Sequence, residues 1–172
     1  LYEPLYNFWC ELQHNGHQLQ GEIAGLKTVH CNQDSARCLF QEMKEVINDE
    51  EKSNFDRAIA FYIVNKCSFS GLTESSSFSP QASESNFSFR GIERLSEYSK
   101  LIERWTITNL SYERMLTDQK DVFTYLDPPY DIKDNLYGKK GSMHKGFDHD
   151  DFANWCDGFT SSMLISYNSD QI

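Results

Sequence analysis

The sequence predicts an α/β fold: a sheet flanked by helices, with its functional residues at one sheet edge. Three observations carry this. Residues 122–126, Val-Phe-Thr-Tyr-Leu, form a β-prone run that stops at Asp127-Pro128-Pro129-Tyr130. Two more β-rich runs, at 105–109 (Trp-Thr-Ile-Thr-Asn) and 162–167 (Ser-Met-Leu-Ile-Ser-Tyr), are expected in the same sheet. Residues 1–66 instead place apolar side chains at helical spacing.

The central strand must end at residue 127, because Pro128 and Pro129 lack backbone donors and hold φ near about −65°. Asp127 is thereby set at the carboxyl end of a buried strand, where open α/β sheets place their ligands. An ionised Asp127 only accepts hydrogen bonds. The Pro128 carbonyl is a second acceptor on stiff backbone, and Tyr130 offers a flat face. Two acceptors and a ring suit a planar substrate that carries an amino group. The plainer alternative is a Pro-Pro turn with a solvated acid. An aromatic placed directly after the prolines favours the functional reading.

Taken in order, residues 1–12 read as a helix, with Leu1, Leu5, Phe8 and Leu12 on one face. Residues 17–29, 34–48 and 53–66 read as three more, the last capped by Asn54 and rich in core aromatics. The serine-rich stretch 72–88 has the composition of a flexible linker. Phe87 and Phe89 alternate with polar residues like a short strand, and Gly91 opens a helix running to about residue 103. Ser111 can cap a helix after the 105–109 strand. Residues 131–149 form a loop with three glycines and four lysines, followed by a helix over 150–159 and the last strand.

Composition narrows the function classes. With 172 residues the chain can bury a core, and 14% aromatics argue against disorder. No apolar run approaches the roughly 18 residues of a membrane span. The five cysteines (10, 31, 38, 67, 156) form no CxxC pair, which reads as reduced thiols without a zinc or disulfide framework. Histidines 14, 17, 30, 144 and 149 show no credible metal-ligand spacing. The net charge is −10, so binding a polyanion would rely on local positive charge. Lys133, Lys139, Lys140 and Lys145 lie within thirteen residues containing one acid, Asp134. A weaker set, Arg90, Arg94, Lys100 and Arg104, is interleaved with Glu93, Glu97 and Glu103.

Asp127-Pro128-Pro129-Tyr130 resembles the DPPY motif of amino-group methyltransferases that use S-adenosylmethionine. The surrounding text is similar to the Dam-like, D12-class DNA adenine-N6 methyltransferases, including phage and restriction–modification members. Asn65, Phe69 and Gly71 match that family's N-x-x-x-F-x-G segment. The text from Leu164 to Asp170 resembles its L-S-N-S-D strand end. The resemblance implies a partial Rossmann-like, S-adenosylmethionine-dependent methyltransferase sheet with a helical, target-recognition insertion. It divides the chain into a helical part (1–64), a target-recognition region (65–104) and the catalytic half of the sheet (105–172). Serine and asparagine in the 72–88 stretch would then serve phosphate and base contacts.

The family's catalytic positions fall on Asp127, Pro128, Pro129 and Tyr130. Its cofactor positions fall on Ser111, Tyr112, Asp127 and Tyr137, although many members have Asp where Ser111 stands. Lys133, Lys139, Lys140 and Lys145, with Arg90 and Arg94, would contact duplex DNA whose target adenine is flipped out. No metal is implied, and the setting would be the cytoplasm of a bacterium or a phage-infected host. A cytosine-N4 enzyme more often shows Ser before the prolines, and an RNA or protein-glutamine enzyme Asn. A further alternative is a non-catalytic DNA-binding remnant. The family's FxGxG cofactor segment and the acid after its second strand have no counterpart in these residues. The expectation is therefore a chain that binds cofactor weakly by itself and self-associates through an unpaired sheet edge.

Overall fold

The computed structural model describes residues 2–130 and 146–167. The chain divides into two compact units, 2–109 and 110–172.

The first unit is helical. Its helices α1 (Glu3–Val29), α2 (Gln33–Val46) and α3 (Asn54–Cys67) pack with α3 at the centre. Residues 57–64 of α3 are buried without interruption, as suits a helix covered on every side. Phe8, Leu12, Leu19 and Ile23 of α1 and Leu39, Phe40 and Met43 of α2 close the core over it. Arg57 is drawn into this core with its charge answered. Its Nη2 donates to Glu3 Oε1 at 2.9 Å and its Nε to the Ile47 carbonyl.

The two helices expected at 1–12 and 17–29 are one element interrupted at Asn15, whose φ of −124° and ψ of 24° are not helical. The cap of α3 also differs from expectation. Ser53, one residue before Asn54, accepts the Asp56 N–H at 3.0 Å.

Beyond α3 the chain folds back in a tight clasp. Phe69 N–H donates to the Ser77 carbonyl and Ser79 N–H to that of Cys67, at 3.0 and 2.8 Å. Asn65 Nδ2 reaches the Gly71 carbonyl at 3.0 Å, and Gly71 adopts a φ of 69°, which favours glycine. The serine-rich stretch is therefore built structure rather than a loose linker. Phe78, Ala82, Ser83 and Phe87 are buried in it, and its serines cap short helices. Ser79 caps α4 (Pro80–Ser85), and Ser88 caps α5 (Phe89–Glu93). The expected strand at 87–89 does not form, because Phe87 fills the core while Phe89 begins α5. Helix α6 (Leu95–Leu101) follows after a break at Arg94.

The second unit carries α7 (Tyr112–Met115), β1 (Phe123–Leu126), α8 (His149–Asp157) and β2 (Ser162–Ile165). The two strands pair in parallel, from Phe123 opposite Ser162 to Leu126 opposite Ile165. Both therefore end at the same sheet edge. In β1, Thr124 and Leu126 are buried while Phe123 and Tyr125 are exposed, so the strand is covered on one face rather than two. Residues 105–109 form no strand. Gln13 Nε2 donates to the Ile102 and Trp105 carbonyls at 2.6 and 2.9 Å, and Ile107 packs on the helical core. These interactions tie the segment to the helical unit.

Asp118 fastens the start of β2. Its Oδ2 accepts from the Thr160 N–H and hydroxyl at 3.0 and 2.9 Å, and its Oδ1 from the Ser161 N–H at 2.9 Å. These bonds, Thr160's first, hold its carboxyl below the usual range. A depressed folded pKa means the ionised form supports the fold. That support is complete above the unfolded aspartate value of about 3.9 and is lost as pH falls through the folded one. Asp118→Asn is expected to lower the melting temperature most at neutral pH, where the ionised carboxylate acts, and least in acid, so that the acid limb flattens. An acid limb identical to wild type would refute this.

Candidate active site

The edge at which both strands end is where chemistry collects. Leu126 is buried and its carbonyl accepts the Ser166 N–H at 3.0 Å, so the strand pairing extends one residue past β2. Asp127 comes next, exposed, with its Oδ1 accepting the Ser166 hydroxyl at 2.5 Å. Pro128 is buried, and Pro129 and Tyr130 are half-buried. The turn is thus anchored at its second residue and presents the carboxylate before it and the aromatic after it. Tyr130 leans towards Tyr167, with ring centroids 6.3 Å apart, and Tyr167 is hydrogen-bonded through its hydroxyl to His149 Nδ1.

Facing this turn within the same unit is α7, which Ser111 precedes as N-cap residue. The Ser111 hydroxyl, with backbone and Tyr112 hydrogen bonds, lowers the Glu113 pKa. Burial, with the hydrogen bond to Glu113, pushes the Tyr112 phenol up. The Tyr112 ring meets Phe152 and Trp155 edge-on at 5.2 and 5.1 Å and Phe147 at 6.0 Å. Between the turn and α7 lies a cleft of about 460 Å³. Asp127, Pro128 and Pro129 line one side, Ser111 and Tyr112 the other, and Phe147 and Phe152 contribute a third wall.

The sequence model of the D12 class N6 adenine-specific DNA methyltransferases matches residues 1–172. The chain belongs to this family. Adenine-N6 methylation of DNA is the activity the family indicates, and S-adenosylmethionine is the methyl donor its members generally use. No curated protein matches the chain.

In this methyltransferase the structure brings Ser111, Tyr112, Asp127, Pro128 and Pro129 to one cleft, with Tyr130 next in the chain. Tyr137, Lys133, Lys139, Lys140, Lys145 and Ser169 lie outside the described residues. Arg90 and Arg94 are exposed in the helical unit, on α5 and at its end. Among the described residues no cluster of histidine, cysteine or carboxylate could hold a metal, and no helix is long and apolar enough to cross a membrane.

Four contributing residues are not marked by the sequence. Ser166 sits in the strand-end text that was noticed, but only the register shows that it is the residue reaching Asp127. Phe147 and Phe152 flank the N-cap of α8, and a pair of aromatics around Asp148 was their one available signal. Asp118 looked like any loop acid.

Proposed function

We propose that this chain methylates the N6 amino group of an adenine flipped out of duplex DNA, with S-adenosylmethionine as donor. Asp127, Pro128, Pro129 and Tyr130 form the catalytic turn. The observation that carries this reading is the Asp127 carboxylate held by Ser166 on the wall of a cleft of about 460 Å³. Ser166 occupies Oδ1, which fixes the carboxylate plane and leaves Oδ2 for substrate.

Adenine's amino nitrogen is a poor nucleophile, because its lone pair is delocalised into the ring. Asp127 and the Pro128 carbonyl accept its two N–H bonds. That draws the nitrogen towards tetrahedral geometry and stabilises the positive charge growing on it. Tyr130 supplies a stacking face for a base that has left its duplex. The cleft's own residues fit the donor: Tyr112, Phe147 and Pro129 offer apolar faces to a purine, and Met115 and Leu116 extend that surface. S-adenosylmethionine supplies a methyl on a sulfonium, so the protein's task is in-line positioning. Ser111, Tyr112 and Tyr137 border it in this reading. Transfer of labelled methyl from S-adenosylmethionine to duplex DNA, with the product nucleoside identified, is the test. N6-methyladenine supports the proposal, and N4-methylcytosine would overturn the base assignment.

Lys133, Lys139, Lys140 and Lys145 are assigned to the phosphate backbone, with Arg90 and Arg94 as further contacts. Each phosphate contacted makes the logarithm of the binding constant fall by about 0.9 per tenfold rise in salt. Lys139→Ala with Lys140→Ala should flatten that slope by about 1 to 2 without changing the sequence methylated. An unchanged slope would return these lysines to solvated surface.

A further inference from the structure

The helical unit holds a cavity of its own. It lies between α1, α3 and the α5–α6 segment and encloses about 350 Å³, a size at which small-molecule sites begin. Trp9, Tyr62 and Tyr98 contribute aromatic walls. Two cations line the same space, and no acid does. Lys66 Nζ stands 5.7 Å from the Tyr62 ring centroid, and the Arg94 guanidinium 4.9 Å from that of Tyr98. Neither has a carboxylate partner among the described residues. That arrangement is unusual in a chain with ten more negative than positive charges.

One buried group is also unanswered. Tyr62 is only 4% exposed, yet its hydroxyl makes no hydrogen bond. Burial, with Tyr98 nearby, pushes its pKa up to about 12, so the hydroxyl keeps its proton and a donor to offer. A buried hydroxyl without a partner is destabilising, and an acceptor brought against it would relieve that. Gly91 lines the same cavity. A Cβ built there would stand 3.5 Å from Tyr62 Oη, filling space without a clash. Gly91 thus leaves room at the cavity wall that a methyl group would take.

We propose that this cavity binds a nucleoside monophosphate unit, its base against Trp9 and Tyr98 and its phosphate on Lys66 and Arg94. Rings stack on any nucleobase, and an arginine lying on an aromatic face turns its N–H edges to an anion. Asn86 also lines this space. Such a unit can be a free nucleotide or a nucleotide of a DNA strand held away from its partner. Both present the same chemistry to these residues.

Calorimetric titration of the 172-residue chain with dAMP, with deoxyadenosine and with a short single-stranded oligonucleotide tests this. The expected result is binding of dAMP at least roughly tenfold tighter than of deoxyadenosine, the share of a charge-assisted phosphate contact. Gly91→Ala should weaken dAMP roughly tenfold by filling the cavity, and Arg94→Ala should abolish the preference for phosphate. The preference for phosphate should survive Asp127→Ala, which separates this site from the methyl-transfer cleft. Circular dichroism melts verify that the variants stay folded, and Tyr62→Phe provides a second, nearly isosteric probe. An oligonucleotide that binds more tightly than dAMP and is lost in the same variants assigns the site to a DNA strand. Tighter binding of dAMP assigns it to a free nucleotide. Undetectable dAMP binding, or binding indifferent to both Gly91→Ala and Tyr62→Phe, overturns the proposal.

Discussion

Replacing Asp127 with alanine should abolish methyl transfer while the protein keeps its fold and melting temperature. Asp127 is exposed, and among the described residues its side chain is hydrogen-bonded by Ser166 alone. Exposed polar side chains of this kind change stability by less than about 0.5 kcal/mol on removal. An acceptor used on the charge that develops in the transition state is a different matter. Its loss costs about 3 kcal/mol or more, on the order of a hundredfold or greater in turnover. Asp127→Asn distinguishes shape from charge, because the amide fills the same space but accepts less strongly. Ser166→Ala should give a smaller loss, since it frees the carboxylate to rotate without removing it. The measurement is single-turnover transfer of labelled methyl, beside thermal melts of each variant. Near-normal turnover in Asp127→Ala would move the catalytic role elsewhere.

The parts of this structure legible in the sequence are those set by local chemistry. Pro128 and Pro129 end a strand wherever they stand, so β1 and the exposed acid beyond it could be read directly. Ser111 was legible as a helix N-cap residue, and the apolar spacing of Phe8 and Leu12 marked core-facing helix. What could not be read depends on partners distant in sequence. Residues 105–109 have strand composition, but Gln13, more than 90 residues before Trp105, takes that carbonyl and ties the segment to the helical unit. Phe87 alternates with polar neighbours like a strand residue, yet it is fully buried between short helices. Serine-rich text looks unstructured by composition, while Ser79 and Ser88 use their hydroxyls to start helices. In the active cleft the motif residues were visible and their supports were not. Ser166 is identified only by its position beyond β2, and Phe147 and Phe152 only by where α8 sets them.

The largest expected effect on stability from the smallest change is at Gly16. Asn15 interrupts α1, and at the next residue the helix comes against α6 with no space between them. A Cβ built on Gly16 would stand 2.4 Å from the Ser99 Cβ and 2.5 Å from its Oγ. Atoms attached directly to two backbones cannot rotate out of each other's way, so the helices must part. The contact is also pinned nearby, because Gln13 Nε2 holds the Ile102 and Trp105 carbonyls. Ser99 Oγ adds a long bond to the Gln13 carbonyl at 3.4 Å. Alanine is a better helix former than glycine by about 1 kcal/mol, which alone would stabilise α1. Overpacking costs typically about 1–3 kcal/mol and should outweigh that gain. Gly16→Ala is therefore expected to lower stability by about 1–2 kcal/mol net, read from urea unfolding. Ser99→Gly removes the opposing Cβ, so in the double variant most of the loss at position 16 should be recovered relative to Ser99→Gly alone. A Gly16→Ala protein as stable as wild type, or a double variant whose losses simply add, would show that the two helices do not meet at this point.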